Sequence, residues 1–355
     1  MKEKLYLTIY EKLREQIISG AYKYGEKLPS KRNLALEYGV SVITAEHVYD
    51  LLLSEGYAEA REKSGYFCIF NKDDRFLSSP SFDYAPEKTS ALSNSDEFSF
   101  SIYSKTVRRV LSVYGETVLS RVENGGAPIL KNAIARYLGR GRSIKIDEDQ
   151  IVIGAGAEYL YGLIVDTLGR NRIYAVEDPS YEQIERVYRA KGVKCRLLPL
   201  KKDGIESTAL KNTDASVLHI TPYRSFPSGV TASVSKRHEY LRWAKEKDRI
   251  IVEDDFESEF TVNGKTADTV FSMSDNANVI YINTFSKTVS SGIRVAFMAL
   301  PKKFVPVFKK NAGFYSCTVP ALEQYVLAEL LNGGDFERHI NRVRRRLRKE
   351  IKNEK

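Results

Sequence analysis

A lysine with hydroxyl-bearing neighbours follows a short apolar run near residue 280. The run Val279–Ile282 is predicted to be a buried strand, and Thr284, Ser286 and Lys287 come directly after it. Burial of a lysine ammonium lowers its pKa, so the amine becomes a usable nucleophile. The hydroxyls and the nearby Arg294 suit a phosphate group. Together these groups suit a Schiff base with pyridoxal 5'-phosphate (PLP), although a surface lysine in a Ser/Thr-rich loop would give a similar pattern.

A second stretch supplies the carboxylate that this cofactor needs. Ile250–Val252 is predicted to be a buried strand, and Glu253, Asp254 and Asp255 lie at its carboxyl end, where α/β sheets bind ligands. PLP needs a carboxylate against its pyridine nitrogen, which keeps the ring protonated and electron-withdrawing. We therefore predict that Asp254 and Lys287 are the catalytic residues. A solvated strand-end acid or a helix N-cap is the alternative for Asp254.

The segments Val252–Phe260 and Thr284–Lys287 resemble the signatures of the MocR subfamily of GntR-family bacterial regulators. Proteins of this subfamily join a winged helix-turn-helix DNA-binding domain to a fold type I aminotransferase-like domain. The resemblance runs from about residue 5 to the end of the chain. It implies PLP as the cofactor, a double-stranded DNA operator and a small amine or amino-acid effector as partners, and a homodimer.

Composition narrows the classes of protein that fit. A chain of 355 residues is long enough for two domains. Its three cysteines and four histidines are scattered, so we expect no metal site, no disulfide framework and a reducing, cytoplasmic location. No apolar signal region or membrane-length run is present, and we expect no membrane partner. The net charge of +9 comes mostly from residues 301–355, so charge alone is weak evidence for DNA binding.

Residues 1–70 have the pattern of a winged helix-turn-helix. Apolar residues that recur every four positions predict the first amphipathic helix: Leu5, Ile9, Leu13 and Ile17. Ser30 and Ser41 are placed to cap a second and a third helix, with a tight turn between them. The loose alternation from Tyr57 to Phe70 then predicts a two-stranded wing. A small helical dimerisation module is the alternative interpretation of this region.

The same region is similar to the GntR pattern, in which Leu-Pro-Ser-x-Arg precedes a Val-Ser-x-x-Thr recognition helix. Leu28–Arg32, Val40, Ser41 and Thr44 fit it. The family commonly has Arg and Asn where this chain has Val42 and Ile43; an arginine contact is lost, whereas valine can meet a thymine methyl. The DNA-binding residues that the resemblance implies are Ser30, Lys31, Arg32, Ser41, Thr44, His47 and Gly65.

Two further segments complete the predicted domain organisation. Residues 71–97 are polar and predict a semi-flexible linker. Residues 98–355 alternate helices and strands, which predicts an α/β fold with a mostly parallel sheet and helices on both faces. Within it, the strand Ile151–Ile153 runs into Gly154–Ala157 before a helix. Such a segment can cradle a phosphate with backbone amides, and a plain strand-to-helix turn is the alternative.

The resemblance also assigns cofactor contacts in the larger domain. It implies phosphate binding by Gly156 and Ala157, and stacking of Tyr181 on the pyridine ring. The complete set that we predict to bind the cofactor is Gly156, Ala157, Tyr181, Asp254, Phe256, Thr284, Ser286, Lys287 and Arg294.

The chain departs from the family pattern at three places around this cofactor site. Ala155 replaces a serine, Tyr223–Ser225 replaces Ser-His-Gln, and Phe256 replaces a tyrosine that bonds the cofactor's phenolate oxygen. Ala155 and Phe256 each remove a hydroxyl contact, and the hydrogen bond lost at Phe256 is worth about 1 kcal/mol. The change at Tyr223–Ser225 replaces the usual polar contacts near the cofactor ring. The departures favour a repressor with a degenerate cofactor site over a working aminotransferase.

The arginine-rich segment 335–355 is predicted to be a helix with one apolar stripe. A family member would continue into a small C-terminal domain with the arginine that anchors an amino-acid carboxylate. We therefore expect a domain truncated before that part, with little transaminase activity. Three functions stay open: a PLP-binding regulator, an aminotransferase with an appended DNA-binding domain, and a repressor with a degenerate cofactor site.

Overall fold

The computed structural model describes residues 5–71, 98–262, 268–274 and 278–353. The chain divides into two compact units, Met1–Thr89 and Ser90–Lys355. The predicted linker 71–97 lies, apart from Asn71, outside the described residues. The domain boundaries at residues 70 and 98 therefore stay predictions.

The first unit contains three helices followed by a two-stranded antiparallel sheet. Its elements are α1 (Leu5–Ser19), α2 (Lys31–Tyr38), α3 (Val42–Ser54), β1 (Ala58–Arg61) and β2 (Gly65–Cys68). The Ser30 and Ser41 hydroxyls accept hydrogen bonds from the backbone N–H groups three residues on, so both predicted N-caps are present. Gly39, with a φ of 63°, ends α2 in the left-handed conformation that glycine favours.

The second unit is built from alternating strands and helices. Its strands are β3 (Ile151–Gly154), β4 (Ile173–Asp178), β5 (Lys194–Lys201), β6 (Gly204–Ile205), β7 (Val217–Ile220), β8 (Ile250–Asp254), β9 (Val279–Thr284) and β10 (Ala296–Ala299). Its α-helices are α4 (Phe100–Tyr114), α5 (Pro128–Arg142), α6 (Ala157–Leu168), α7 (Glu182–Ala190), α8 (Ser207–Asn212), α9 (Val234–Glu246), α10 (Val270–Met273), α11 (Phe285–Thr288), α12 (Val305–Asn311), α13 (Ala321–Asn332) and α14 (Asp335–Asn353).

One sheet organises this unit, with the strand order β3-β10-β9-β8-β7-β4-β5-β6. The neighbours β9, β8, β7, β4 and β5 are parallel, whereas β10 is antiparallel to both β3 and β9. Because the central strands are parallel, their carboxyl ends lie at the same edge of the sheet. The predicted α/β architecture with a mostly parallel sheet is confirmed.

The sheet is covered on both faces, which explains why its strands are continuous apolar runs. Successive residues alternate between two apolar clusters: Ile151 and Ile153 belong to one cluster, and Val152 belongs to the other. The first cluster includes residues of α4, α5, α9, α13 and α14, and the second includes residues of α6, α7 and α12. Among the described helices, none combines the length and apolar character needed to cross a membrane.

Candidate functional site

A cavity of about 320 Å³ opens at the carboxyl ends of the parallel strands. Its lining comes from segments that directly follow β3, β4, β7, β8 and β9, and from the segment before β10. The predicted cofactor residues among this lining are Ala157, Tyr181, Asp254, Phe256, Thr284, Ser286 and Arg294. The fold therefore brings together residues that are more than a hundred positions apart in the sequence.

Asp254 ends β8 and is 5% exposed. Its Oδ2 accepts a hydrogen bond from the Tyr161 hydroxyl and lies 3.7 Å from His219 Nε2. Its Oδ1 is buried and has no hydrogen-bond partner among the described residues. A buried acceptor without a partner is costly. A ligand that brings an N–H group to this oxygen would satisfy it, and the protonated ring nitrogen of PLP is such a group.

Of two residues that the sequence did not reveal, Tyr161 holds Asp254 through a hydrogen bond and His219 lies beside it. Burial first, and then the Asp254 charge, raise the pKa of Tyr161 well above its ordinary value, so Tyr161 stays a hydrogen-bond donor. His219 lies on β7, the neighbour of β8, and its Nδ1 is 2.7 Å from the Tyr188 hydroxyl. A polar residue inside the apolar strand Val217–Ile220 was the available signal for His219.

The predicted phosphate cradle lies between β3 and α6. Gly156 has a φ of 93°, a backbone conformation that favours glycine, and a Cβ at this position would also lie 2.9 Å from Arg294 Nη2. The Gly156 N–H donates to the Gly154 carbonyl at 2.8 Å, which corrects the expectation that this amide is available for a phosphate. The amide of Ala157, at the first position of α6, has no acceptor within the helix. Ala157 and Arg294 thus remain suitable phosphate ligands.

An acidic residue that the sequence analysis did not single out also lines the cavity. Glu158 Oε1 accepts a hydrogen bond from the Tyr181 hydroxyl at 3.0 Å, and Glu158 Oε2 lies 3.4 Å from Arg294 Nη2. One carboxylate therefore contacts both the proposed ring-stacking residue and the proposed phosphate ligand.

The hydroxyls of Thr284 and Ser286 shape the turn after β9. The Ser286 hydroxyl donates to the Ile293 carbonyl at 2.7 Å, and the Thr284 hydroxyl donates to the Val295 carbonyl at 3.3 Å. Both donors are thus engaged with the segment that leads into β10. Their contribution in this structure is to position Lys287 and Arg294, and a phosphate would compete for their hydrogens.

Lys287 lies in α11, next to the cavity-lining Ser286, but its side chain is exposed. It is not part of the lining, and the expectation of a buried ammonium is wrong. The reason is that the strand ends at Thr284, three residues before the lysine. A flexible four-carbon stem still allows an amine at this position to reach a neighbouring cavity.

The apolar part of the lining includes Tyr181, Phe226 and Phe256. Tyr181 is the N-cap residue of α7, and its ring meets that of Phe226 at 6.4 Å in an edge-to-face arrangement. Phe256 lies two residues after Asp254 and is half-buried. These rings suit a flat heteroaromatic ligand.

The departure at Tyr223–Ser225 has a structural counterpart. The buried Ser225 hydroxyl donates to Glu177 Oε2 at 2.6 Å. Burial raises the pKa of Glu177 to about 8. Ser225 therefore stabilises a buried carboxyl group of β4 and is not part of the cavity lining.

A buried ionic cluster lies beside the carboxyl end of β8. Arg142 Nη2 is 3.0 Å from Asp255 Oδ2 and 3.4 Å from Glu259 Oε1. The Tyr281 hydroxyl donates to Asp255 at 2.8 Å, and Asn283 Nδ2 donates to Glu259 at 2.9 Å. Asp255 is thus directed away from solvent into the protein interior, and of the two neighbouring aspartates only Asp254 lines the cavity.

In the first unit, all of the predicted DNA-binding residues except Gly65 lie in or next to the first turns of α2 and α3. Arg32 and Ser41 are exposed, Thr44 is half-buried, and the Ser41 and Thr44 hydroxyls are 2.9 Å apart. Ser30 caps α2. Exposed hydroxyls and amides at helix amino ends suit contacts with DNA phosphates.

Two other predicted DNA contacts are partly occupied within the unit. Lys31 forms an ion pair with Glu46, and His47 Nδ1 lies 3.8 Å from Asp50 Oδ2. Gly65, at the start of β2, has a φ of 106°, which makes the tight wing turn possible. Sequence reasoning did not indicate that Lys31 is less available than Arg32.

Comparisons with known proteins decide the family. The family model described as "Aminotransferase class I and II" matches residues 112–353, which is more than half of the chain. The chain belongs to this family. The model described as "Bacterial regulatory proteins, gntR family" matches residues 5–68. This aminotransferase-family chain therefore has the domain combination of the MocR subfamily, and the resemblance seen in the sequence is confirmed.

Relatives of this aminotransferase-family chain include regulators of similar organisation. The uncharacterized HTH-type transcriptional regulator YdeL of Bacillus subtilis (strain 168) is 28% identical over 362 residues, which cover 98% of this chain and 77% of YdeL. The probable rhizopine catabolism regulatory protein MocR of Rhizobium meliloti is 27% identical over 369 residues, which cover 96% of this chain and 74% of MocR.

Solved aminotransferases share the fold of the larger unit. LysN, an α-aminoadipate aminotransferase from Thermus thermophilus complexed with N-(5'-phosphopyridoxyl)-L-leucine, superimposes with a TM-score of 0.60 at 25% identity. The match covers 70% of this chain and 64% of LysN. The chain is thus a GntR-type regulator of the MocR kind, with an aminotransferase-like domain that binds PLP.

Proposed function

We propose that this chain regulates transcription by binding a double-stranded DNA operator, with PLP held in the cavity and attached to Lys287, in response to a small amine or amino acid. The observation that supports this most is the buried Oδ1 of Asp254, which has no hydrogen-bond partner in the described part of the chain. Asp254 lines a cavity that Arg294 also lines. The same chain carries a GntR-type helix-turn-helix unit.

Each residue of the proposed cofactor site has a distinct proposed role. Bound PLP supplies an aldehyde that reacts with amines and a ring that withdraws electrons when its nitrogen is protonated. Asp254 holds the proton on the ring nitrogen, and Tyr161 keeps the carboxylate aimed. Arg294 binds the phosphate, Tyr181 stacks on the ring, and Lys287 provides the attaching amine.

The proposed effector follows from the chemistry of Lys287. A small molecule with a primary amine competes with the lysine amine for the same site, so amines and amino acids are the effector class. A change of amine at the cavity would shift DNA affinity through a coupling free energy between the two units. We further propose that the chain acts as a homodimer in the cytoplasm.

The cofactor site is tested by loading the protein with PLP. We expect a visible absorption band at about 420 nm. Borohydride should then fix the cofactor, and peptide mapping should place it on Lys287. Lys287→Ala should lose the label, whereas Lys303→Ala, which removes an exposed lysine paired with Asp248, should keep it. A label on another lysine would contradict the assignment.

Asp254 is tested by a change that keeps its shape. Asp254→Asn should weaken PLP binding by about 1.5–3 kcal/mol, the usual contribution of a hydrogen bond to a charged group. Unchanged affinity in a variant with an unchanged melting temperature would reject the ring-nitrogen role.

The DNA function is tested with a pool of randomised duplexes. We expect repeated selection to enrich one sequence, and an amine added with PLP to change the affinity for it. An effect of the amine that persists in Lys287→Ala would contradict the proposed route. Sustained conversion of an amino acid to a keto acid would favour the aminotransferase, and sequence-specific binding without any PLP binding would favour the repressor with a degenerate site.

A further inference from the structure

Glu158 places a negative charge at the part of the cavity where a bound phosphate group would need positive charge. Its carboxylate lies 3.4 Å from Arg294 Nη2 and lines the same cavity. The two side chains are 41% and 55% exposed, so the ion pair lies at the cavity surface and is not locked in the interior. Arg294 therefore lines the cavity and at the same time forms an ion pair with Glu158.

The position of Glu158 on its helix adds to this effect. Glu158 is the second residue of α6, and an acid in the first turn is favoured by the partial positive charge of the helix amino end. The Ala157 amide belongs to the same helix end. A phosphate bound to Arg294 and to this amide would meet the Glu158 carboxylate as a like charge.

The contact with Tyr181 keeps the carboxylate in place. The Tyr181 hydroxyl donates to Glu158 Oε1 at 3.0 Å. Burial, followed by this hydrogen bond, raises the pKa of Tyr181, so the tyrosine remains a donor. Two donors, Tyr181 and Arg294, thus hold Glu158 beside the cradle.

We propose that the Glu158 carboxylate opposes phosphate binding at Arg294 and thereby sets a low affinity of the cavity for PLP. To bind Arg294, the phosphate must replace Glu158 as the partner of the guanidinium, and it then lies next to the negative charge of Glu158. This inference rests on the proposed function, because it takes Arg294 as the phosphate ligand. Its consequence is that occupancy of the site depends on the concentration of PLP.

The substitution Glu158→Gln removes the negative charge of Glu158 and keeps the size of the side chain. The glutamine side-chain oxygen can still accept the hydrogen bond from Tyr181, and its NH₂ group can donate to a phosphate. Pyridoxal, which lacks the phosphate but keeps the ring and the aldehyde, is the matched probe. The matched protein control is Glu182→Gln, which removes an exposed acid of α7 that pairs with Arg186.

Affinities for PLP and pyridoxal are measured by spectroscopic titration in parallel. Glu158→Gln should bind PLP about tenfold more tightly than the wild type, because a like charge next to the phosphate is removed. Its affinity for pyridoxal should change less than about twofold, and Glu182→Gln should match the wild type for both ligands.

Equal effects on PLP and pyridoxal, or weaker PLP binding in Glu158→Gln, would overturn the inference. Arg294→Ala separates it from the underlying function, since it should weaken binding of PLP but not of pyridoxal. If Arg294→Ala leaves PLP binding unchanged, the phosphate assignment fails. If Arg294→Ala behaves as expected and Glu158→Gln does not, only the role of Glu158 fails. Glu158→Ala provides a second variant in which the charge is removed.

Discussion

The two units place their functional residues in opposite ways. In the helix-turn-helix unit, Ser30, Arg32 and Ser41 lie within twelve consecutive residues and face solvent or cap a helix. In the cofactor unit, Asp254 and Tyr161 are separated by 93 positions and meet inside the protein. The first site is built from local backbone structure, and the second is built from the edge of a sheet.

This difference has an energetic consequence. An exposed side chain contributes little to folding, so substitution changes binding while stability stays nearly constant. When a buried polar side chain is substituted, its partners lose their hydrogen bonds and stay buried without them. Substitutions around the cavity should therefore change stability and binding together.

The largest expected effect is on the buried ionic cluster. Arg142→Met leaves the carboxylates of Asp255 and Glu259 without their cation, and the side chain of Arg142 is only 4% exposed. We expect the free energy of unfolding to fall by about 3–5 kcal/mol. Urea denaturation measures this. Arg140→Met, which breaks a more exposed pair with Glu337, should cost less than about 1 kcal/mol.

If both arginine variants lost the same stability, the contrast between buried and exposed groups in this unit would be refuted.

A second test uses the pH dependence of stability. The folded-state pKa of Glu177 is about 8, above the ordinary value of about 4.3. Between these values the folded protein keeps a proton that the unfolded chain has released, so the free energy of unfolding falls as pH rises and levels off above about pH 8. Glu177→Gln should be more stable than the wild type at pH 7 by at least about 1.4 kcal/mol, one pKa unit.

That advantage should vanish near pH 4, where both forms are neutral. Thermal unfolding of both proteins across this pH range measures the difference. If the two stability profiles ran parallel, the burial of Glu177 would not be the cause of the fall in stability with pH.

A smaller effect is expected on the DNA-binding unit. Arg32→Ala should reduce the magnitude of the slope of log affinity against log salt concentration by about 0.9. The reason is that each phosphate contact releases counterions when the protein binds, and the variant makes one such contact fewer. Lys31→Ala should change the slope less, since Lys31 is paired with Glu46. A fluorescently labelled duplex of random sequence is sufficient for both titrations, and neither variant should change the melting temperature. An unaltered slope for Arg32→Ala would remove Arg32 from the phosphate contacts.

The smallest expected effect concerns contacts between α3 and single methyl groups of the DNA. Val42 and Ile43 begin α3 and are 46% and 67% exposed. We expect them to contact thymine methyls in the major groove. Replacing such a thymine by uracil in the selected duplex should cost about 0.8 kcal/mol, the value of one buried methylene.

The double variant Val42→Ala, Ile43→Ala should lose this difference between thymine and uracil, which makes the test a double-mutant cycle. If every uracil substitution is neutral for the wild-type protein, the two residues do not read thymine.

Much of the fold could be predicted from the sequence because it depends on short-range patterns. Ser30 and Ser41 cap α2 and α3 as predicted, since a cap needs only its own helix. The apolar runs at Ile151, Ile250 and Val279 are buried strands, since a strand covered on both faces must be apolar throughout. The motifs around Asp254 and Lys287 indicated the family, which the comparisons confirm.

Only the tertiary structure decided which side chains meet at the cavity and which stay outside it. It formed the hydrogen bond from Tyr161 to Asp254 and placed His219 3.7 Å from that carboxylate. It also formed the ion pairs between Asp255 and Arg142 and between Glu158 and Arg294. It also left Lys287 exposed, where the sequence suggested burial. The physical reason is that caps and periodicity act between neighbours along the chain, whereas burial and ion pairing depend on which distant segments the sheet order brings side by side.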